Sequence, residues 1–209
     1  FLIADITVHA PLPNADRRFW FHPTFHAGDT ALRLRPLAER DLDQLVLTCQ
    51  DPETVRWTSV PHPYERSHAE FFALEYAPQQ WAAGEGAVFA IADPDDRCAG
   101  VVELRLAAKD PLLANLGFMV APSARGRGYC PAAVVAICRW AFTTLGLVRI
   151  EWRANVGNTA SRRVAEKAGF VLEGTVRRAV DQRGEHVDAW VGSLLPEDLE
   201  RPTGRRPGC

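Results

Sequence analysis

The chain has no long apolar run, no surplus of basic charge and no paired-cysteine motif, and each absence excludes a class of function. Its longest apolar stretches, residues 132–138 and 88–92, fall far short of the ~20 residues that a membrane-spanning helix needs, so no such span is expected. The opening Phe1-Leu2-Ile3-Ala4 is apolar, but it lacks a basic flank and is interrupted by Asp5, which does not read as a secretory leader. Lys and Arg number 24 against 26 Asp and Glu, a net charge of −2, and nothing in that balance advertises nucleic acid. The five cysteines, Cys49, Cys98, Cys130, Cys138 and Cys209, are odd in number and form no CxxC pair; free thiols in a reducing cytoplasm are the expected state. His22 and His26 are four apart, yet Pro23 lies between them and no HExxH or cysteine partner accompanies them, so no metal site is expected. A Gly-x-Ser-x-Gly elbow is missing too, which argues against a hydrolase.

What remains is an ordinary globular composition, 47% hydrophobic and 24% charged over 209 residues. At about 150 residues per domain that length suggests one domain, or at most two small ones, and such a chain buries about 70% of its unfolded surface without disulfides or metals.

Residues 1–30 mix Pro11, Pro13 and Pro23 with Phe19, Trp20, Phe21 and Phe25 in no regular period, which reads as an irregular arm. An arm this apolar is expected either to cover its own domain or to contact a second subunit, a homodimer being the preferred arrangement. Regular patterning starts at Leu32 with a short strand over 32–34. A helix follows with Asp41 as N-cap candidate and Leu42, Leu45, Val46 and Cys49 on one face. Pro52, Pro61 and Pro63 mark a loop, and Ser67-His68-Ala69-Glu70 reads as a capping box opening a second helix that runs to Gly84 with a kink at Pro78. Strand-like runs over 87–92, 100–106 and 116–120 form a meander turning at Asp93-Pro94-Asp95-Asp96. Val134, Ile137, Cys138, Ala141, Phe142 and Leu145 mark a helix over 131–145, stopped by Gly146. Alternation over 148–154 predicts a strand; Asn158 opens a helix ending at Gly169; the last strands lie near 176–180 and 186–194. The domain is therefore expected over 31–196, with a frayed tail over 197–209. The element order implies a mixed α/β fold, with a largely antiparallel sheet covered by helices on both faces.

The chemistry concentrates where Leu116–Val120 turns through Ala121-Pro122-Ser123-Ala124 into Arg125-Gly126-Arg127-Gly128-Tyr129-Cys130 and directly into a helix. Successive N–H groups at a helix N-terminus, approachable because of the glycines, make an anion cradle suited to a pyrophosphate, to which Arg125 and Arg127 add positive charge. A glycine-rich turn can also simply end a strand, so the motif alone is weak. The loop lacks the Lys-Ser/Thr of a nucleoside-triphosphate P-loop and the third glycine of a dinucleotide fingerprint, which removes both classes.

A second segment, Asn158-Thr159-Ala160-Ser161 leading to Glu166-Lys167-Ala168-Gly169-Phe170, sharpens the reading. Here the chain resembles the GNAT superfamily of acyl-CoA-dependent N-acetyltransferases, in particular its ribosomal-protein (RimJ/RimL-type) group. The family's Arg/Gln-x-x-Gly-x-Gly/Ala motif falls on Arg125, Gly128 and Cys130, and its Asn-x-x-Ser…Glu-Lys-x-Gly-Phe motif on Asn158, Ser161, Glu166, Lys167, Gly169 and Phe170. The resemblance covers roughly residues 32–195. It implies a splayed strand pair in which Phe118, Met119 and Val120 bind the pantetheine arm of acetyl-CoA, with the amides of Gly126, Arg127, Gly128, Tyr129 and Cys130 on the pyrophosphate. It also implies Asn158 at the pantetheine region, where the same residue would serve equally as an ordinary N-cap. The implied activity is transfer of an acetyl group to a primary amine of a peptide N-terminus or small molecule. The rivals are a non-catalytic CoA-binding module and use of a larger donor such as succinyl-CoA.

The chain departs from the family pattern. Cys130 replaces the small Gly/Ala, Pro131 removes one N–H from the first helical turn, and Ala165 stands where many members carry a tyrosine acid. The resemblance then implies Ser161 as donor to the departing thiolate, against the alternative of a helix-surface serine. Asn115 stands where the group often has glutamate, so the base falls to Glu103 or Asp188, acting directly or through water, each of which could equally be an ion-paired strand carboxylate. Trp57 and Tyr64, on the loop that borders the acceptor site in this fold, either touch the acceptor or only pack.

Overall fold

The computed structural model describes residues 24–27 and 31–200, so the arm reading for 1–23 and 28–30, the association reading built on it and the end of the tail lie outside the described residues. Strands β1 (Phe25–His26) and β2 (Arg33–Arg35) precede helices α1 (Leu42–Gln50), α2 (Pro52–Trp57), α3 (Arg66–Glu70) and α4 (Ala77–Ala83). The meander β3 (Gly86–Ala92), β4 (Cys98–Ala107) and β5 (Asp110–Val120) follows. Then come α5 (Tyr129–Thr144), β6 (Arg149–Asn155), α6 (Thr159–Lys167), β7 (Val171–Gln182) and β8 (Glu185–Leu194).

The sheet runs β1-β2-β3-β4-β5-β6-β8-β7, antiparallel between all neighbours except β5 and β6. That pair is parallel because α5 carries the chain back over one face, the crossover a parallel pair requires. The expected mixed α/β architecture is thus present, with helices on both faces. The apolar run over 88–92 is explained by β3, which is buried along its whole length. Phe89 and Ile91 face the cluster under α5, while Val88 and Ala90 face the one under α1 and α3. A strand covered on both sides cannot alternate with polar residues.

Several local expectations are corrected. Phe25–His26 is not irregular: it pairs with Leu34 and Arg33, and the Phe25 ring stacks on Trp140. Asp41 precedes α1 without capping it, because its carboxylate is taken by Arg35 (2.7 and 2.9 Å) and the Ala38 amide (2.9 Å). The second long helix starts at Arg66, where His68 Nδ1 accepts from the Glu65 amide at 2.9 Å, so Ser67 is not its cap. Instead of a kink at Pro78 there is a π-helical stretch, Phe71–Tyr76, before it. Proline has no N–H to bond the preceding turn, and a widened turn is one way to absorb that. The 51–66 loop contains α2, whose signal was in the sequence: Asp51 accepts from the Thr54 amide at 3.0 Å and Pro52 fills the first turn, where a missing N–H costs nothing. β7 is longer than its apolar core because irregular register at Leu172/Gly174 and Val176/Val180 interrupts the alternation.

At the β7 edge, Arg149 and Ser193 hold the Glu173 carboxyl down from 4.5 to about 2. A depressed folded-state value stabilises above the unfolded value and is lost as pH falls through the folded one. The wild type should therefore exceed Glu173→Gln in urea midpoint by a constant margin above about pH 5, and that margin should shrink as pH falls from 4.5 towards 2.

Candidate functional site

The β5–β6 ladder runs from Leu113–Arg149 to Leu116–Trp152 and then stops. Beyond it β5 stays on β4, with Phe118 opposite Val102 and Val120 opposite Gly100, whereas β6 stays on β8 through Asn155. Two parallel strands held by different neighbours part into a V, opening a cleft of about 810 Å³. Phe118, Met119 and Val120 line one wall, and Trp152, Ala154 and Asn155 the other. On the β6 side, the backbone of β5 past Leu116 has lost its strand partner, leaving the edge on which an extended arm can pair.

The cleft ends on the cofactor-type loop. Gly126 (φ +77°) and Gly128 (φ +78°) adopt left-handed backbone, and a Cβ on either would meet nothing within 4 Å. Gly128 is the N-cap of the 16-residue α5 and supplies no side chain to satisfy the first turn. Among the described residues, the amides of Gly126, Arg127, Gly128, Tyr129 and Cys130 donate to nothing, and the first recorded amide bond of α5 runs from Ala132 to the Gly128 carbonyl at 3.3 Å. Unpaired donors at a helix start beside an open cleft suit a pyrophosphate. Pro131 takes away one donor but leaves these. The Cys130 side chain belongs to the main core, 4% exposed, and burial pushes its thiol well above the ordinary range; it replaces a small residue without blocking the cradle.

The opposite wall carries α6. Asn158 caps it, accepting from the Ser161 amide at 3.0 Å through Oδ1, while Nδ2 has no partner among the described residues and the side chain borders the cleft. The cap occupies Oδ1 alone and leaves Nδ2 for another partner. Ser161 also lines the cleft, and its hydroxyl accepts from Trp152 Nε1 at 3.0 Å, which leaves its own hydrogen free to donate. Ala165 is buried at 1% exposure, out of reach of the cleft.

The proposed carboxylates separate. Glu103 lines the cleft, with Oε1 accepting from the Tyr76 hydroxyl at 2.8 Å and Oε2 from Arg105 at 2.9 Å. Burial first, and then Glu103, push the Tyr76 phenol up to about 12, so it remains a neutral donor. Asp188 does not border the cleft: it accepts from the Arg178 amide at 2.9 Å, where β7 bulges through a positive φ. Tyr64 is also outside, 6% exposed and packed on His68 behind α1. Trp57 is at the cleft, on the last turn of α2, its indole N–H donating to Glu53 at 3.1 Å. Arg127 is exposed and does not line the cleft, whereas Arg125 does and pairs with Asp51. Glu53, Thr54, Arg105 and Gln182 line the cleft without a local sequence signal, except that the Asp51-Pro52 helix start would have placed the first two. No group of three metal-ligating side chains occurs among the described residues, and no described helix is long and apolar enough to cross a membrane.

Known proteins share this fold. The acetyltransferase (GNAT) domain family matches residues 31–171. A Bacillus subtilis (strain 168) protein named "Putative ribosomal N-acetyltransferase YdaF" is 33% identical over 106 residues, 51% of this chain and 58% of that protein. The matched region thus spans little more than half of that relative. Two solved structures share the fold: RimL, a ribosomal L7/L12 α-N-protein acetyltransferase in complex with coenzyme A (TM-score 0.73, 20% identity, 83% of this chain and 98% of that one), and Mycobacterium smegmatis RimJ with CoA-disulfide (TM-score 0.71, 22% identity, 81% and 84%). The family match covers the strand pair that parts at Leu116, the open first turn of α5 and all of α6, and on that extent the chain belongs to the acetyltransferase (GNAT) domain family.

Proposed function

We propose that the chain is an acetyl-CoA-dependent N-acetyltransferase that moves the acyl group to a primary amine by direct attack on the thioester, with 31–196 as the catalytic unit. The observation that carries this reading is the V between β5 and β6 leading onto the unpaired amides of the α5 N-terminus. Phe118 and Val120 would pair with the pantetheine arm, Asn158 Nδ2 would reach it from the other wall, and residues 126–130 would hold the pyrophosphate. The bound donor supplies the activated acyl carbon; the residues of the chain orient it and manage protons.

Ser161 is the proton donor in this reading. The bond it accepts from Trp152 aims the hydroxyl and strengthens it as a donor. Of the two candidate bases Glu103 is the one that lines the cleft, and with both oxygens already accepting bonds it works best through a water, taking the amine proton while Arg105 and Tyr76 hold it in place. Asp188, away from the cleft, is left with a strand-bulge role. Trp57 and Glu53 border the acceptor end, with the Arg56 guanidinium 4.7 Å over the Trp57 ring and 3.7 Å from Glu53. The name of RimL, an α-N-protein acetyltransferase, points to a protein N-terminus as acceptor class, and the buried free thiols suit a reducing cytoplasm.

Calorimetric titration with CoA and acetyl-CoA, run beside a thiol-release assay over peptide N-termini and small amines, tests the reading. Donor binding with thiol release on at least one amine is the expected result. Binding without transfer to any amine would leave a CoA-binding module, and faster release from succinyl-CoA would reassign the donor.

A further inference from the structure

Arg125 of the cofactor loop lines the cleft, but its guanidinium is engaged away from the loop amides. Arg125 Nη2 is ion-paired with Asp51 and lies 3.2 Å from Thr54 Oγ1, joining the loop to the start of α2 across 74 positions of sequence. The same Asp51 oxygen accepts from the Thr54 amide and hydroxyl at 3.0 and 3.3 Å, so one carboxylate both caps α2 and receives the guanidinium. Arg125 holds that carboxyl below its ordinary range, which keeps the pair charged.

The far end of α2 is tied to the other arm of the cleft. Arg183 Nη2 donates to the Val55 and Val60 carbonyls at 3.2 and 3.0 Å, and Gln182 Nε2 to those of Arg56 and Thr58 at 3.1 and 3.0 Å. Asn155 of β6 donates to Gln182 Oε1 at 3.2 Å, and the Trp57 ring lies so close over Gly157 that a Cβ there would meet it at 3.3 Å. Helix α2 therefore spans the mouth of the V, anchored at one end to the loop before α5 and at the other to β6 and the β7–β8 hairpin.

We propose that Asp51 and Arg125 are a positioning pair that locks α2 to the cofactor loop, so that occupancy of the anion cradle orders the acceptor wall carrying Glu53 and Trp57. This rests on the reading of the cleft as an acyl-CoA site. Arg125 then serves the reaction through α2 and not as a phosphate ligand.

Asp51→Asn separates the two duties of Asp51, because asparagine caps a helix as well as aspartate does but carries no charge. Calorimetry with CoA and hydrogen–deuterium exchange over residues 52–57, with and without CoA, provide the readouts. In the wild type, CoA should slow exchange in that segment. In Asp51→Asn and in Arg125→Gln the transmitted protection should disappear while the CoA dissociation constant stays within about threefold, and the double variant should be no worse than either single one. With a peptide bearing a free N-terminal amine as acceptor, KM should rise about tenfold and kcat change less, the split expected when acceptor placement is lost and the chemistry is intact. Arg125→Gln weakening CoA tenfold or more while Asp51→Asn tightens it would make Arg125 a phosphate ligand and overturn the proposal. A lowered melting temperature with CoA-induced protection retained would reduce the pair to a structural contact and overturn it too. If the wild type does not bind CoA at all, the reading of the site falls first; the charge pair is then decided by ligand-free exchange alone, where unchanged protection of 52–57 in Asp51→Asn counts against it.

Discussion

Gly128→Glu should weaken CoA binding by about 100-fold or more, read by calorimetry, the largest binding effect expected of any single change in the cleft. Two costs combine. Gly128 sits at φ +78°, and an L-residue there pays roughly 1–2 kcal/mol in backbone energy or shifts the loop away from the geometry that aims its amides. A Cβ at this point would stand in open space, so the carboxylate extends into the volume that the pyrophosphate needs and repels it. Gly128→Ala separates the terms, since it carries the backbone cost without the charge and should lose much less affinity. Gly146→Glu provides the control: Gly146 is also left-handed (φ +67°) with open space at its Cβ, yet it follows α5 at the end away from the cleft, so stability should fall without a change in CoA affinity. Equal CoA affinity in Gly128→Glu and wild type would remove the cradle as the donor site.

Ser161→Ala should lower turnover by roughly 100-fold at saturating donor while CoA affinity changes little, because the hydroxyl acts on the leaving sulfur and contributes little to ground-state binding. The mutation strips the acceptor from Trp152 Nε1, on a side chain only 2% exposed, so a lowered melting temperature is expected beside the loss of turnover. A thiol with pKa near 8.5 leaves as thiolate with modest help, so a loss near tenfold would mean that Ser161 orients the thioester without protonating it. Full turnover in Ser161→Ala would leave the serine as a helix-surface residue hydrogen-bonded to Trp152. Solvent-isotope and pH profiles of the two proteins distinguish the first two outcomes, since only a proton donor changes the response of kcat.

The elements that hold the site were legible because their signals are local. Period-3.6 apolar spacing marked α5, period-2 alternation marked β6, and glycines 126 and 128 marked the turn into the α5 start, where the structure has left-handed backbone. The order of those elements was enough for a mixed sheet with helices on both faces, since only an α5 crossover can bring β6 alongside β5. Helix α2 was missed although Asp51-Pro52-Glu53 is a local start signal, because six residues are too few to show a period.

Partnership across the fold was not legible. Whether Glu103 or Asp188 faces the cleft depends on which side of a twisted sheet each strand presents and where β7 bulges, and the bulge turns Asp188 to the Arg178 amide. Tyr64 and Trp57 are seven positions apart in one loop-like segment, yet one is buried behind α1 and the other closes the cleft. Arg125 reads as added positive charge beside the cradle by its place in a motif, and nothing local in the sequence shows that Asp51, 74 residues away, pairs with it. Local sequence determined backbone conformation, because φ preferences and burial periods act within a few residues; tertiary structure alone decided which charged groups meet, because an ion pair is set by distance in space and the chain brings those residues together only after its helices have packed on the sheet.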